Sequence, residues 1–512
     1  MDLNINIQKL GKTDDIFGFY KYLTKDNESK NSVLLESVGE QSHEMLFSFI
    51  GLKPDFMVKV IGDKLDYYAI LSETGEKIKD QGGSGSIEEE QEYKMPFDDE
   101  VALPLKGLDI LKDIFPISRS AMPELFPRKI FSGGFLGYIG YDVVSPYVGY
   151  KASSKIQEEF PDIIMGFFTT VLTYSHTTKT LYLINNNIGG YTPDEDITGK
   201  FEKFKNNGKG KGGNGIKIDR TELMKQETDF KTNTSLDEWI PMIQQTGEHI
   251  KAGDIIQAVI SRKMTAETDA DPIDVYGGLR FLNPSPYMFY LDFEDAHDGD
   301  IRIIGSSPEA LITKNEYNLE TVPIAGTRRR GRTPEDEIKM ENELLHSEKE
   351  LAEHVMLVDL ARNDLAKVSV PGSVETYKLI QLKKFPNVMH LISKVRSKSF
   401  MDPFTVLKSM FPAGTVSGAP KKRAMEIIHE LEKEDRGPYA GCTGYISFTG
   451  DMDMAINIRT IFNKNKKYIA QAGAGIVADS KPEEEYLETK NKLQGVLSTI
   501  NYANLLLKGR RK

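Results

Sequence analysis

Apolar positions along this chain follow two periods. Up to Lys205 they gather in short runs, residues 57–61, 67–71, 163–173 and 180–184, bounded by Gly, Asp and Asn. Such runs between turn-forming residues predict strands joined by hairpins, hence an antiparallel sheet. Residues 107–114 predict a helix among them. Farther on, residues 237–251, 335–362 and 421–432 carry the wider spacing of helices, while 255–265, 301–313, 439–448 and 455–462 read as strands. Strands often follow one another directly instead of alternating with helices. The expected fold class is therefore α+β, rich in antiparallel sheet with helices packed on it, and not doubly wound α/β.

Two segments break the pattern. QGGSGSIEEEQ at 81–91 and KNNGKGKGGNG at 205–215 have the composition of flexible linkers. The first is expected as a hairpin loop. The second opens a linker over 205–220 that separates an N-terminal unit, 1–204, from a C-terminal unit, 221–512.

Composition narrows the function. With 39% hydrophobic and 28% charged residues, the 512-residue chain is of the globular kind. A net charge of −11 argues against nucleic acid as a partner but admits a small anion beside a local Arg or metal. The single cysteine, Cys442, excludes a disulfide framework and a Cys-rich zinc site. No apolar run reaches the roughly 18 residues of a membrane span, and the first residues lack the pattern of a secretory signal. The expectation is a cytoplasmic protein with no membrane partner.

Two Glu-x-x-Glu pairs carry the chemistry: Glu350 with Glu353, and Glu485 with Glu488. Three-residue spacing puts both carboxylates of a pair on one helix face. If the two helices face each other, four hard-oxygen donors converge on a site suited to Mg²⁺. Taken alone, each pair also fits a solvated helix face.

Several elements lie near these pairs in sequence. Strand 455–462 would carry Arg459 in its middle, and pairing Phe462 with Tyr468 would set Arg459 opposite Gln471, beside a loop of Gly473, Ala474 and Gly475. A guanidinium and glycine backbone N–H groups suit one carboxylate. Gly326 and Thr327 end another strand. Arg328, Arg329 and Arg330 follow and read as a solvated charge run. Glu309 ends an apolar strand, where a carboxylate is either surface or a general acid, and His390 reads as a core or capping histidine. The loop at 411–420 precedes a helix and fits an anion site or a packed turn equally well. Two dinucleotide-like glycine patterns, at 210–215 and 473–478, lack the required strand–helix context.

Taken in order, these motifs resemble the chorismate-utilising enzymes, most closely the large subunits of anthranilate synthases. GDIIQAVISR from Gly253, PIAGT from Pro323, AEHVMLVDLARND from Ala352, GTVSGAP from Gly414, RGPY from Arg436 and QAGAG from Gln471 carry the resemblance. It implies two intertwined units. It implies Mg²⁺ bound by Glu353 and Glu488, with Glu350 and Glu485 acting through water. Gly326, Thr327, Tyr439, Arg459, Gly473, Ala474 and Gly475 would hold chorismate, His390 would assist proton transfer, and Glu309 would protonate the departing C4 hydroxyl.

Two positions discriminate within the family. Relatives that add water place a lysine base where this chain has Gln257, and aminodeoxychorismate synthases place a nucleophilic lysine where it has Ala325. Both absences imply ammonia attacking C2 directly, then loss of pyruvate to give anthranilate. Aminodeoxychorismate or isochorismate synthesis, or a non-catalytic chorismate- or tryptophan-binding subunit, are the alternatives. The chain has no amidotransferase-sized segment to spare, so the resemblance implies a separate glutamine amidotransferase subunit and a hetero-oligomer. It also implies an inhibitory tryptophan site formed by Ser37 with Pro286, Tyr287 and Met288.

Overall fold

The computed structural model describes residues 4–25, 31–38, 47–61, 64–68, 107–114, 130–149, 160–187, 195–207, 223, 229–294, 299–385 and 388–510. The expected loop at 81–91 and the linker from 208 to 220 lie outside these residues. The helix Glu195–Asn207 runs three residues into the expected linker.

Two large antiparallel sheets organise the chain. The first runs in the order Asn4–Lys12, Thr180–Asn187, Thr170–Ser175, Phe47–Leu52, Ser32–Glu36, Tyr287–Phe293, Ile301–Ser307, Thr460–Lys464, Lys467–Ile476, Gln257–Glu267, Lys231–Thr232. The second runs Ile324–Arg329, Val388–Lys398, Asn318–Thr321, Ala310–Asn315, Met452–Ile456, Cys442–Ser447, Gly134–Ile139, Ile163–Phe168, Phe56–Ile61, Lys64–Tyr68. Each sheet takes strands from both sides of residues 205–220. The expected α+β class holds, and the two units are intertwined at the level of hydrogen-bonded strands.

The two-residue period of a strand sends alternate side chains to opposite faces. On Tyr287–Phe293, Phe289, Leu291 and Phe293 enter the core between the sheets, where they meet Phe135, Phe167 and Met454 of the second sheet. Met288 and Tyr290 enter a separate core with residues of the helices Ile16–Thr24, Pro272–Leu282 and Pro482–Arg510. Both faces of this strand are thus dry, which explains its nearly continuous apolar sequence.

Three expected strands are each two strands. Residues 163–173 divide into Ile163–Phe168 and Thr170–Ser175, 301–313 into Ile301–Ser307 and Ala310–Asn315, and 455–462 falls across Met452–Ile456 and Thr460–Lys464. In every case the first and second pieces lie in different sheets. The chain passes between sheets at Thr169, at Pro308-Glu309 and at Asn457–Arg459. The expected helix 335–362 is also two, Pro334–Leu345 and Glu348–Ala366, because Ser347 caps the second by accepting the Glu350 N–H.

Candidate active site

Two of these sheet crossings carry expected site residues. Glu309 is buried where the chain leaves the first sheet for the second. Burial pushes its carboxyl up to about 8, with nearby Thr415 and Ile324 and the charges of Arg459 and Lys492 opposing the rise. It is a protonated acid at neutral pH. Arg459 occupies the return crossing with a φ of 51°, in the left-handed region. It is therefore not in mid-strand. The observed register sets Phe462 opposite Ile469 and Asn463 opposite Tyr468, one residue from the expected pairing. Neighbouring Asn457 donates to the Pro438 carbonyl at 3.0 Å, which fixes this turn against the Tyr439 loop. Burial lowers the Arg459 pKa, opposed by the charge of Glu309. Among the described residues its guanidinium has no carboxylate within ion-pair distance, so it is a positive charge available to an anion.

The strand Ile324–Arg329 bulges between Ala325 and Thr327 as it pairs with Val388–Lys398. The extra residue is Gly326, whose φ of 71° suits glycine. A Cβ there would stand 3.1 Å from Glu350 Oε2. The bulge brings Thr327 opposite His390. His390 Nδ1 lies 3.1 Å from the Gly326 carbonyl and 3.0 Å from Thr327 Oγ1. A carbonyl only accepts, so Nδ1 carries the proton and Nε2 is left as a bare acceptor. That Nε2 is buried without a hydrogen-bond partner among the described residues. Burial, followed by Arg459, holds the imidazole down at about 4. It is a neutral base, not a capping cation.

Gly473, Ala474 and Gly475 belong to the strand Lys467–Ile476, not to a loop. They pair with Ser261, Ile260 and Val259. On the other side, pairing with Thr460–Lys464 stops at Ala470, so backbone groups from Gln471 onward face the crossing of Arg459. A Cβ on Gly473 would meet Tyr439 Oη at 3.2 Å, and one on Gly475 would meet Gln257 Nε2 at 2.8 Å. The two glycines thus let Tyr439 and Gln257 lie against the strand. Gln257 is buried and its Oε1 has no hydrogen-bond partner among the described residues. Tyr439 is pushed up to about 12 by burial and remains a phenol.

The acidic pairs sit near the N-terminal ends of the helices Glu348–Ala366 and Pro482–Arg510, where the helix dipole favours negative charge. The two pairs lie within range of each other's charge. Burial lifts Glu353 to about 7, with Glu350, Glu488 and Glu485 adding to the rise. Glu485 is raised in the same way by burial and by Glu488. Each remaining carboxylate has a local cation: Arg328 Nη1 lies 2.7 Å from Glu350, and Lys492 Nζ 2.7 Å from Glu488. Among the described residues no three such side chains stand close enough to enclose an ion alone.

A second cleft gathers the other expected residues. Ser32–Glu36 and Tyr287–Phe293 are adjacent strands, with Glu36 opposite Met288. Ser37, Pro286, Tyr287 and Met288 line one pocket with Leu35, Phe47, Gly444, Tyr445 and Asp453. Glu36, which also lines it, is held from behind by the helix Pro272–Leu282: it accepts from Tyr276 Oη at 2.7 Å and pairs with Arg280 at 2.8 Å.

The family model of chorismate binding enzymes matches residues 72–498. The chain belongs to the chorismate-binding enzymes. It is 36% identical to anthranilate synthase component 1 of Aquifex aeolicus, covering 98% of this chain and 99% of that protein. It is 41% identical to anthranilate synthase component 1 of Acetivibrio thermocellus over 77% of this chain and 80% of that one. Among solved structures, anthranilate synthase component I of Streptococcus pneumoniae aligns with a TM-score of 0.68 at 32% identity, covering 89% of this chain and 93% of that chain. The menaquinone-specific isochorismate synthase of Escherichia coli, 16% identical with a TM-score of 0.65 over 97% and 95% of the two chains, shares the fold.

Within this chorismate-binding fold, sequence reasoning missed Lys492. Its Nζ donates to the Gly473 carbonyl at 2.9 Å while pairing with Glu488, and its charge is felt at Glu309 and His390. Its place one helical turn past Glu488 was the available signal. The Arg328–Arg330 run is ion-paired as well as solvated: Arg328 pairs with Glu350, the exposed Arg329 with Asp336 and Arg330 with Glu337. The loop at 411–420 is a packed turn, with Lys421 behind it paired to Asp364 at 2.7 Å in the interior.

Proposed function

We propose that this chain is the large, synthase subunit of an anthranilate synthase, aminating chorismate at C2 with ammonia and then eliminating pyruvate. One observation carries the reading: a buried acid, Glu309, and a neutral imidazole, His390, share one site with an unpaired guanidinium. Chorismate is a dicarboxylate, and Arg459 with the Gly473–Gly475 backbone and Tyr439 suits the enolpyruvyl carboxylate. Glu309, protonated at neutral pH, gives its proton to the C4 hydroxyl, which leaves as water while the ammonia nitrogen bonds to C2. Elimination then removes the C2 proton and breaks the bond to the enolpyruvyl oxygen. His390 Nε2 is the bare acceptor suited to that proton; the departing enolpyruvate takes up a proton at its methylene carbon to become pyruvate, and the nitrogen on C2 gives up one proton to solvent to become the amine. Gln257 offers Oε1 to an N–H of ammonia, and being neutral it activates no water.

The carboxylate set fits a divalent metal. Burial, with the neighbouring carboxylates adding to it, lifts Glu353 and Glu485, and a small cation would offset the cost of ionising them there. Glu353 and Glu488 would bind Mg²⁺ directly and Glu350 and Glu485 through water, leaving positions for substrate oxygen. When bound, the ion would neutralise the ring carboxylate and draw electron density from C2. Ammonia would come from a separate glutamine amidotransferase subunit in a cytoplasmic hetero-oligomer.

The pocket of Ser37, Pro286, Tyr287 and Met288 is the proposed tryptophan inhibitor site. Its lining sets the hydroxyl of Ser37 and the carboxylate of Asp453 beside the apolar Phe47, Tyr287 and Met288. A ligand that favours one arrangement of the adjoining strands shifts the equilibrium between arrangements.

The test is direct: purified chain, chorismate, Mg²⁺ and ammonium should release anthranilate and pyruvate in equal amounts. Isochorismate or an aminated but unaromatised product would refute the reading.

A further inference from the structure

Of the three arginines after Thr327, one reaches the acidic site. The bulge at Gly326 turns Thr327 toward His390 and sets Arg328 opposite Met389. Met389 packs with Met340, Leu344 and Leu391 beneath the helix Pro334–Leu345. On this side of the strand Arg328 Nη1 meets Glu350 Oε1 at 2.7 Å and its own neighbour's carbonyl, Thr327 O, at 2.8 Å. The two contacts hold the guanidinium in place. Both partners are only partly exposed, 29% for Arg328 and 20% for Glu350, against 50% and 47% for Lys492 and Glu488. The Arg328 pair is therefore the less screened of the two. Glu350 is also the carboxylate pressed against Gly326, beside the substrate-facing strand end.

We propose that Arg328 is an exchangeable counter-ion of the acidic site. Its guanidinium occupies Glu350 until a divalent cation arrives, and it competes with that cation for the carboxylate. The inference rests on the metal reading above. A fixed positive charge beside the site lowers metal affinity in two ways, by repulsion and by holding a donor. Metal uptake would therefore be coupled to release of Arg328 from Glu350, on the same strand that carries Gly326 and Thr327.

Binding of Mn²⁺, followed by electron paramagnetic resonance on the full chain, tests this without turnover. Arg328→Gln should bind Mn²⁺ about five- to thirtyfold more tightly than wild type, the range expected for one charge-assisted pair. Arg328→Lys keeps the charge but loses the fork, and should fall between. Unchanged or weaker binding in a folded Arg328→Gln overturns the exchange. If that variant does not fold, Arg328→Lys decides: tighter binding supports the exchange, and wild-type binding overturns it. Glu353→Gln separates this from the reading beneath it. Wild-type Mn²⁺ affinity in Glu353→Gln, or no uptake by wild type with chorismate present, refutes the metal site itself. Loss of uptake in Glu353→Gln with no gain in Arg328→Gln refutes the exchange alone.

Discussion

Thr327 Oγ1 stands 3.0 Å from His390 Nδ1 across a strand bulge, and that contact with the Gly326 carbonyl leaves the far ring nitrogen bare. Replacing His390 by Asn should lower kcat by about 10²–10⁴-fold, the usual range for a general base. The chorismate KM should change far less. Steady-state kinetics at saturating ammonium would show it, and a variant within a factor of a few of wild type would remove His390 from proton transfer.

Glu309 gives the pH dependence its sign. Its folded-state pKa is raised to about 8 by burial, so the proton-donating form is full well below that pH and is lost as pH rises through it. His390, held at about 4, is already neutral across that range. At constant free ammonia, kcat should be level near neutrality and fall above about pH 8. The same shift acts on stability. What the protonated carboxyl lends the fold is complete below the unfolded value near 4.5 and disappears as pH rises through the folded value. Glu309→Gln should therefore be nearly inactive yet melt above wild type in alkaline buffer. A wild-type melting temperature at high pH would count against a buried carboxylate there.

Gly326→Ala should damage both stability and catalysis. The left-handed φ alone costs about 1–2 kcal/mol for alanine. The added methyl also meets Glu350 Oε2 at 3.1 Å. Denaturant unfolding gives the first effect and the chorismate KM the second. Wild-type values for both would mean the strand relaxes freely.

At the second cleft, Ser37→Ala should raise the tryptophan concentration needed for half-inhibition by about tenfold, as expected for the loss of one hydrogen bond. Turnover without tryptophan should stay near wild type. Equal inhibition curves would move the regulatory site elsewhere.

How much was legible beforehand differs from residue to residue. The acidic pairs could be read because helix spacing is local: Glu350 and Glu353 share a face whatever surrounds them. Gln257 and Ala325 stood out only because the resemblance supplied their counterparts. Glu309 and Arg459 were legible as residues but not as places. An apolar run that changes sheets has the same period on both sides of the change, so 301–313 and 455–462 look like single strands. Only the partner strands, distant in sequence, show that the chain turns there. The arginine run read as solvated, which holds at Arg329, but its ion-pair partners were hidden for a similar reason, since Asp336, Glu337 and Glu350 lie on helices whose packing the run does not encode.

The sharing of both sheets by early and late strands has a consequence for how such a protein changes over time. Ser32–Glu36 lies beside Tyr287–Phe293, and Gly134–Ile139 lies beside Cys442–Ser447. Neither half can be cut away and leave the other with closed sheet edges. A lineage with no use for the cleft lined by Ser37 and Met288 cannot shed it as a module. It can only alter it in place, one side chain at a time, while the strands beneath go on supporting catalysis.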